Sequence, residues 1–126
     1  KVYGQIITTI EIATEFGDLL PDWVSIHQVT DKYRQQLLEM QIDKGESSAI
    51  ALALETPDCT IILDDYKARK IADQLGLHFT GTIGVIVKAK LKGVIPSIKP
   101  ILSKIKTTDF RLSSELELLA LKEAGE

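Results

Sequence analysis

The sequence predicts an α/β domain built on a parallel sheet, and three observations carry that prediction. Short runs of β-forming residues alternate with stretches of helix formers along the chain. One run, Cys59 to Leu63, has apolar residues on both faces, which predicts a strand buried on both sides, as between two layers of helices. The same run ends abruptly in Asp64 and Asp65, at the C-terminal strand end where open α/β sheets keep their ligands. Two charges at the edge of a core are costly unless water, a cation or hydrogen-bond donors meet them. What else converges there is the question for the remaining residues.

Taken in order, Gln5–Ile7 reads as a strand, and Thr8 or Thr9 caps a helix from Ile10 to Phe16 that Gly17 closes. Glu11 and Glu15 lie four apart on one face of that helix, either as a solvated acidic face or with one turned inward to a cation. Asp18–Asp22 is a loop. Trp23–Val29 alternates apolar and polar residues, as a half-buried edge strand does, and places His27 on its polar side. Asp31 caps a short helix running through Met40. Lys44-Gly45 reads as a break before a helix over Glu46–Glu55, which is almost wholly apolar after Ser48 and therefore central and buried. Glu46 stands in its first turn, where the helix dipole favours a carboxylate on its own account. That helix runs directly into the Cys59–Asp65 strand, so its N-terminus is expected beside the strand's C-terminal end. The spacing brings Glu46 towards Asp64 and Asp65.

A helix over Tyr66–Leu75 follows, closed by Gly76, and an extended piece begins at Leu77-His-Phe79. His78 has no visible partner and reads as structural or solvated. Thr80-Gly-Thr-Ile-Gly84 is a turn into a helix over Val85–Leu91, with Gly81 supplying an unusual backbone conformation and Thr80 or Thr82 a cap. It lacks the Gly-Lys-Ser/Thr ending of a phosphate-binding loop. The tail reads as two helices, Ser97–Ile105 with Pro100 in its first turn and Ser113–Ala124.

The 126 residues suit one domain with its own core. With 44% hydrophobic and 26% charged residues the chain is of the ordered globular kind. The longest apolar runs fall far short of the ~20 residues of a membrane span. The single cysteine, Cys59, excludes an internal disulfide and a thiolate metal cluster, and a reducing cytoplasm is the expected compartment. The net charge of −3 hides an asymmetry: residues 1–65 hold 12 acidic and 4 basic side chains, residues 66–126 hold 6 and 11. Lys67, Arg69, Lys88, Lys90 and Lys92 are the candidates for holding an anionic partner, against the alternative of an ordinary solvated surface. The chain opens at Lys1 on what reads as an internal strand, so a fragment, a processed form or unseen first residues are all expectations that fit.

Were Glu15, Glu46, Asp64 and Asp65 to cluster, they could not all stay ionised without a counter-charge. Oxygen-rich acidic sites suit hard divalent cations such as Mg²⁺ or Mn²⁺. Such an ion activates water for phosphodiester cleavage, and a lysine-rich surface nearby holds a nucleic-acid backbone.

Five pieces of the chain, in order, resemble the PIN-domain family, in particular compact prokaryotic members related to VapC-type toxins. They are Thr8–Phe16, Gly45–Ala53, Ile61–Asp65 with Ala68-Arg69 and Leu75-Gly-Leu77, Thr80–Val85, and Ala89-Lys90 with Gly93–Pro96. The resemblance implies a three-layer α/β/α sandwich around a central parallel sheet over a single domain, residues 1–126. It implies an Mg²⁺- or Mn²⁺-dependent ribonuclease, with RNA as substrate, an antitoxin protein as partner and a homodimer as assembly. Glu15, Glu46 and Asp64 would be its metal-site acids, with Asp65 the alternative for the last and Glu11 a weaker candidate. The family's first acid, an Asp ending an N-terminal strand, has no match after Lys1, so the expectation is of a domain without its N-terminal strand and helix.

Two other readings stand beside this one. A catalytically silent binding module keeps the fold without the chemistry. A phosphorelay receiver also begins with an aliphatic strand ending in Asp-Asp, but only 61 residues follow Asp65 here and the expected later strand-end Asp is missing.

Overall fold

Strand and helix meet without a linker at Thr9. In the computed structural model, which describes residues 3–126, β1 (Ile6–Thr9) passes directly into α1 (Ile10–Phe16). The Thr9 hydroxyl accepts from the Ile12 N–H at 3.1 Å, satisfying one of the donors a helix start leaves unpaired. Gly17 ends the helix at φ +73°, the left-handed conformation that glycine adopts without strain. β2 (Val24–His27) returns parallel to β1, with Ile6 opposite Val24 and Thr9 opposite His27. His27 is exposed, but so is its neighbour Ile26, so burial along β2 does not follow the expected alternation.

The described residues form two units, Tyr3–Thr80 and Gly81–Glu126. The first is α/β. After β2 come α2 (Lys32–Leu38) and α3 (Lys44–Glu55), capped by Asp31 and Asp43. Glu55, at the end of α3, accepts from the Thr30 and Asp31 N–H groups at 2.9 and 2.8 Å and so fixes the start of α2. β3 (Thr60–Ile62), α4 (Tyr66–Gln74) and β4 (His78–Thr80) complete the unit, β4 pairing parallel to β3 with Ile61 opposite Phe79. The core gathers round α3: Ile50 and Ala51 are fully buried, with Val29, Leu38, Ile61, Leu63 and Ile71 packed about them.

Within each pair the two strands run parallel. Thr9, at the end of β1, is hydrogen-bonded to Ser48 in the first half of α3 at 2.7 Å. Asp65, just past β3, faces Glu46 in the first turn of α3. Both strand ends therefore arrive at the N-terminal end of the same helix. Among the described residues the strands form two separate pairs, β1 with β2 and β3 with β4. The unpaired edges of β1 and β3 line one cavity of about 580 Å³, which has Ala49, Leu52 and Ala53 of α3 on its wall.

That cavity corrects the expectation of a strand buried on both faces. Ile61 and Leu63 are buried, but Thr60 and Ile62 are exposed, and Ile62 opens onto the cavity. Cys59 precedes the strand, half-buried, its thiol 3.6 Å from the Ala53 carbonyl, as befits an inert structural cysteine. Lys44-Gly45 is not a break. α3 starts at Lys44 because Asp43 accepts from the Glu46 N–H at 2.8 Å, and Gly45 sits inside the first turn.

The second unit is helical: α5 (Thr82–Leu91), α6 (Lys99–Ile105) and α7 (Ser114–Glu123). Ile83, Val87, Ile98, Leu102 and Ala120 form its core. Glu126 accepts from the Ile98 N–H at 2.8 Å and ties the end of α7 to the start of α6. Gly81 is the cap residue of α5 at φ −108°, ordinary extended backbone, so neither the unusual conformation nor a threonine at the cap position is found. No helix among the described residues is long and apolar enough to cross a membrane.

Candidate functional site

Two helix starts, the last turn of α1 and a strand end supply the acidic residues. Asp43 and Asp65 are N-caps of α3 and α4. Asp43 accepts from the Glu46 N–H, and Asp65 from the Ala68 N–H at 3.0 Å. A carboxylate at a helix N-terminus is stabilised by the unpaired N–H groups and the dipole, so both positions hold negative charge in place. Glu46 is brought against both of them. Burial first, and then the charges of Asp43 and Asp65, push its carboxyl up to about 7. No N–H or O–H among the described residues donates to its buried Oε2, and in its protonated form the carboxyl hydrogen-bonds to the same two aspartates.

Glu15 reaches the same helix turn from α1. Its carboxylate lies over Gly45, where a Cβ would come within 2.8 Å of Oε2. Glycine at this position is therefore what lets the Glu15 carboxylate reach the start of α3. Asp64 is exposed at the end of β3 and borders a separate hollow along α4. The structure thus brings Glu46 against Asp65 and Asp43, sets Glu15 over Gly45 in the first turn of α3, and leaves Asp64 at the hollow along α4. Among the described residues no three His, Cys, Asp or Glu side chains close on one point that would hold a metal ion.

Asp43 is the acid that reading the sequence missed. The signal was present as Asp43-Lys-Gly-Glu46, the spacing of a capping box, in which residue three after the cap turns back towards it. Glu11 has partners on α2 for one of its carboxylate oxygens. It is 8% exposed, accepts from the Gln35 side-chain amide at 2.6 Å and pairs with Lys32 at 3.7 Å. Burial works to raise its carboxyl, but the Gln35 amide, its own backbone N–H and the Lys32 and Lys44 charges outweigh it and hold it below the ordinary value. It fastens α1 to α2.

The basic candidates divide in the same way. Lys67 is exposed on α4, and the Arg69 guanidinium lies over the Phe79 ring at 5.2 Å from its centroid. Lys90 is taken up inside the second unit. It donates to the Ala124 carbonyl at 2.9 Å and pairs with Glu126 at 3.8 Å, so its charge is not offered to a partner. Lys88 is half-buried and Lys92 exposed.

A family model described as a PIN domain matches the chain over residues 1–126. No curated protein and no solved structure matches it.

Proposed function

The chain belongs to the PIN-domain family, and from that premise we propose that it is a divalent-metal-dependent ribonuclease whose acids gather at the N-terminal end of α3. The observation that carries the reading is Glu46. A carboxyl half-buried against two capped aspartates, with an oxygen lacking any donor, is the environment that a hard cation relieves. The donor set is all oxygen, which suits Mg²⁺ or Mn²⁺.

Glu46 and Asp65 would hold the ion, with Glu15 and Asp64 on either flank. When bound, it supplies an activated water and neutralises charge on the scissile phosphate. The protein's own residues do the positioning. Asp43 and Asp65 keep their orientation through the helix N–H groups they accept from. Glu15 keeps its place through the open backbone at Gly45.

The cavity between β1 and β3 bears on the finer architecture. An extended strand seated there and running with both β1 and β3 would join the two pairs into one central parallel sheet, the middle of a three-layer α/β/α sandwich within a single domain. A cytoplasmic toxin neutralised by an antitoxin is the biological setting this reading supports. Exposed Leu19, Trp23 and Met40 offer apolar surface to such a protein or to a second copy of the chain.

A second reading, a silent nucleic-acid- or protein-binding module, is favoured by one observation: Asp43 and Asp65 each already have an oxygen engaged in capping a helix. One experiment separates the two. Purified protein should degrade single-stranded RNA with Mn²⁺ or Mg²⁺, stop on addition of EDTA, and lose cleavage in Glu46→Gln with its circular dichroism unchanged. Intact RNA in the presence of millimolar metal would leave only the silent module.

A further inference from the structure

The outer face of α4 is not explained by the acidic cluster. Tyr66, Arg69, Lys70 and Asp73 are spaced i, i+3, i+4, i+7, so they share one stripe of the helix, while Ala68, Ile71 and Ala72 bury the other. With Phe79 of β4 and Asp64 of β3's end, this stripe bounds a hollow of about 550 Å³. Tyr66 is 71% exposed there, a large aromatic face left open to solvent.

The cations of this stripe are not consumed by the fold. Asp73 lies one turn along from both Arg69 and Lys70, the ordinary spacing for helix ion pairs, yet among the described residues neither forms a salt bridge with it or with any other acid. Arg69 is instead steadied on the Phe79 ring, an arrangement that leaves its N–H edge available. The hollow therefore offers one exposed aromatic face, two cationic donors and an acceptor. That is the chemistry of a single nucleotide unit: a base to stack, a phosphate to bind, a sugar hydroxyl or base amino group to donate.

We propose that this hollow is a subsite for one unpaired nucleotide of a single-stranded polynucleotide, stacked on Tyr66 with its phosphate held by Arg69 and Lys70. The proposal rests on the nuclease reading for its purpose. Asp64 borders the hollow and adjoins Asp65, so a nucleotide seated here lies next to the proposed cleavage site. A base can stack on Tyr66 only when it is unpaired, so the subsite selects single strands over duplex.

The test is binding without catalysis. Fluorescence anisotropy of a short labelled oligonucleotide is measured in EDTA, with single-stranded RNA, single-stranded DNA of the same sequence, and duplex. The full chain should bind a single strand and prefer it to duplex. Tyr66→Ala should weaken binding roughly tenfold, the order that loss of one stacked base produces, and Tyr66→Phe should restore it. Lys70→Gln should weaken binding and lower its salt dependence by about one ion. Tyr33→Ala, which removes an equally exposed tyrosine from α2, should change nothing. Equal affinity for duplex, or unchanged binding in Tyr66→Ala, overturns the subsite. Cleavage with Mn²⁺ is scored separately. Binding that depends on Tyr66 without cleavage keeps the subsite and removes the nuclease, whereas cleavage with binding indifferent to Tyr66 removes the subsite alone.

Discussion

Glu46→Gln should make the metal-free protein more stable at pH 8 and leave it unchanged at pH 4. Folded, the Glu46 carboxyl is pushed up to about 7 from an ordinary 4.5. A carboxyl raised on folding takes stability away once it ionises. The loss is absent below the unfolded value, grows as pH rises from 4.5, and is complete above 7. At about 1.4 kcal/mol per pH unit the full loss is about 3 kcal/mol. Two effects reduce it. Glu46 is only half-buried, so solvent screens part of the repulsion from Asp43 and Asp65. Its ionised form also gains about 0.3–1 kcal/mol from the helix dipole in the first turn of α3. A net gain of about 1–2 kcal/mol for the glutamine variant at pH 8 is expected, since its amide can also donate to either aspartate. Urea unfolding followed by circular dichroism at pH 4, 6 and 8 in EDTA reads it directly. A variant no more stable than the parent at pH 8, or one with the same gain at pH 4, would show that Glu46 is not held against those two charges.

Divalent metal should reverse the sign. Millimolar Mn²⁺ is expected to raise the melting temperature of the parent by a few degrees, as ligand binding at about ten times Kd does, and to leave Glu46→Gln unmoved; equal shifts in both proteins would place the ion elsewhere. Gly45→Ala separates stability from site geometry. Its Cβ would displace only the mobile end of Glu15, so denaturant stability should hold or rise by up to about 1 kcal/mol, while metal-dependent cleavage falls; retained cleavage would show that Glu15 has no part in the site. Thr9→Val removes both a helix cap and the buried bond to Ser48 and should cost about 1–3 kcal/mol in urea unfolding, with a neutral result refuting its role as the tie between β1 and α3.

Local chemistry made much of this legible. Ile10–Phe16 and its closing Gly17 are legible because they act through their own backbone neighbours, while the sequence leaves Thr8 and Thr9 both open as the cap and the fold selects Thr9. Glu46 at the start of a buried helix was legible for the same reason. What the sequence hid was anything decided between elements. Lys44-Gly45 looked like a break because glycine is a poor helix former, whereas its small size serves a contact with Glu15, 30 residues upstream. Lys90 looked like one of a lysine row until folding brought the Ala124 carbonyl to it. Glu11 and Glu15 look alike at four residues' spacing, and only the fold distinguishes them, by bringing Gln35 and Lys32 of α2 to the former.

The two capped aspartates make the acidic cluster self-consistent. Asp43 and Asp65 are needed to start α3 and α4, so their charges are fixed by folding whether or not an ion is present. Glu46 follows Asp43 by three residues, and its N–H is the group that Asp43 accepts from, which holds its backbone beside that carboxylate. The repulsion at Glu46 is thus built into the helix starts. Relieving it by mutation and relieving it by a cation should therefore be exclusive alternatives. In the doubly neutralised variant Glu46→Gln with Asp65→Asn, the loss of stability between pH 4.5 and 7 and the stabilisation by Mn²⁺ should disappear together. Persistence of either one alone, measured by urea unfolding across the same pH range, would show that the two effects arise at different places and that α3's first turn is not the centre of both.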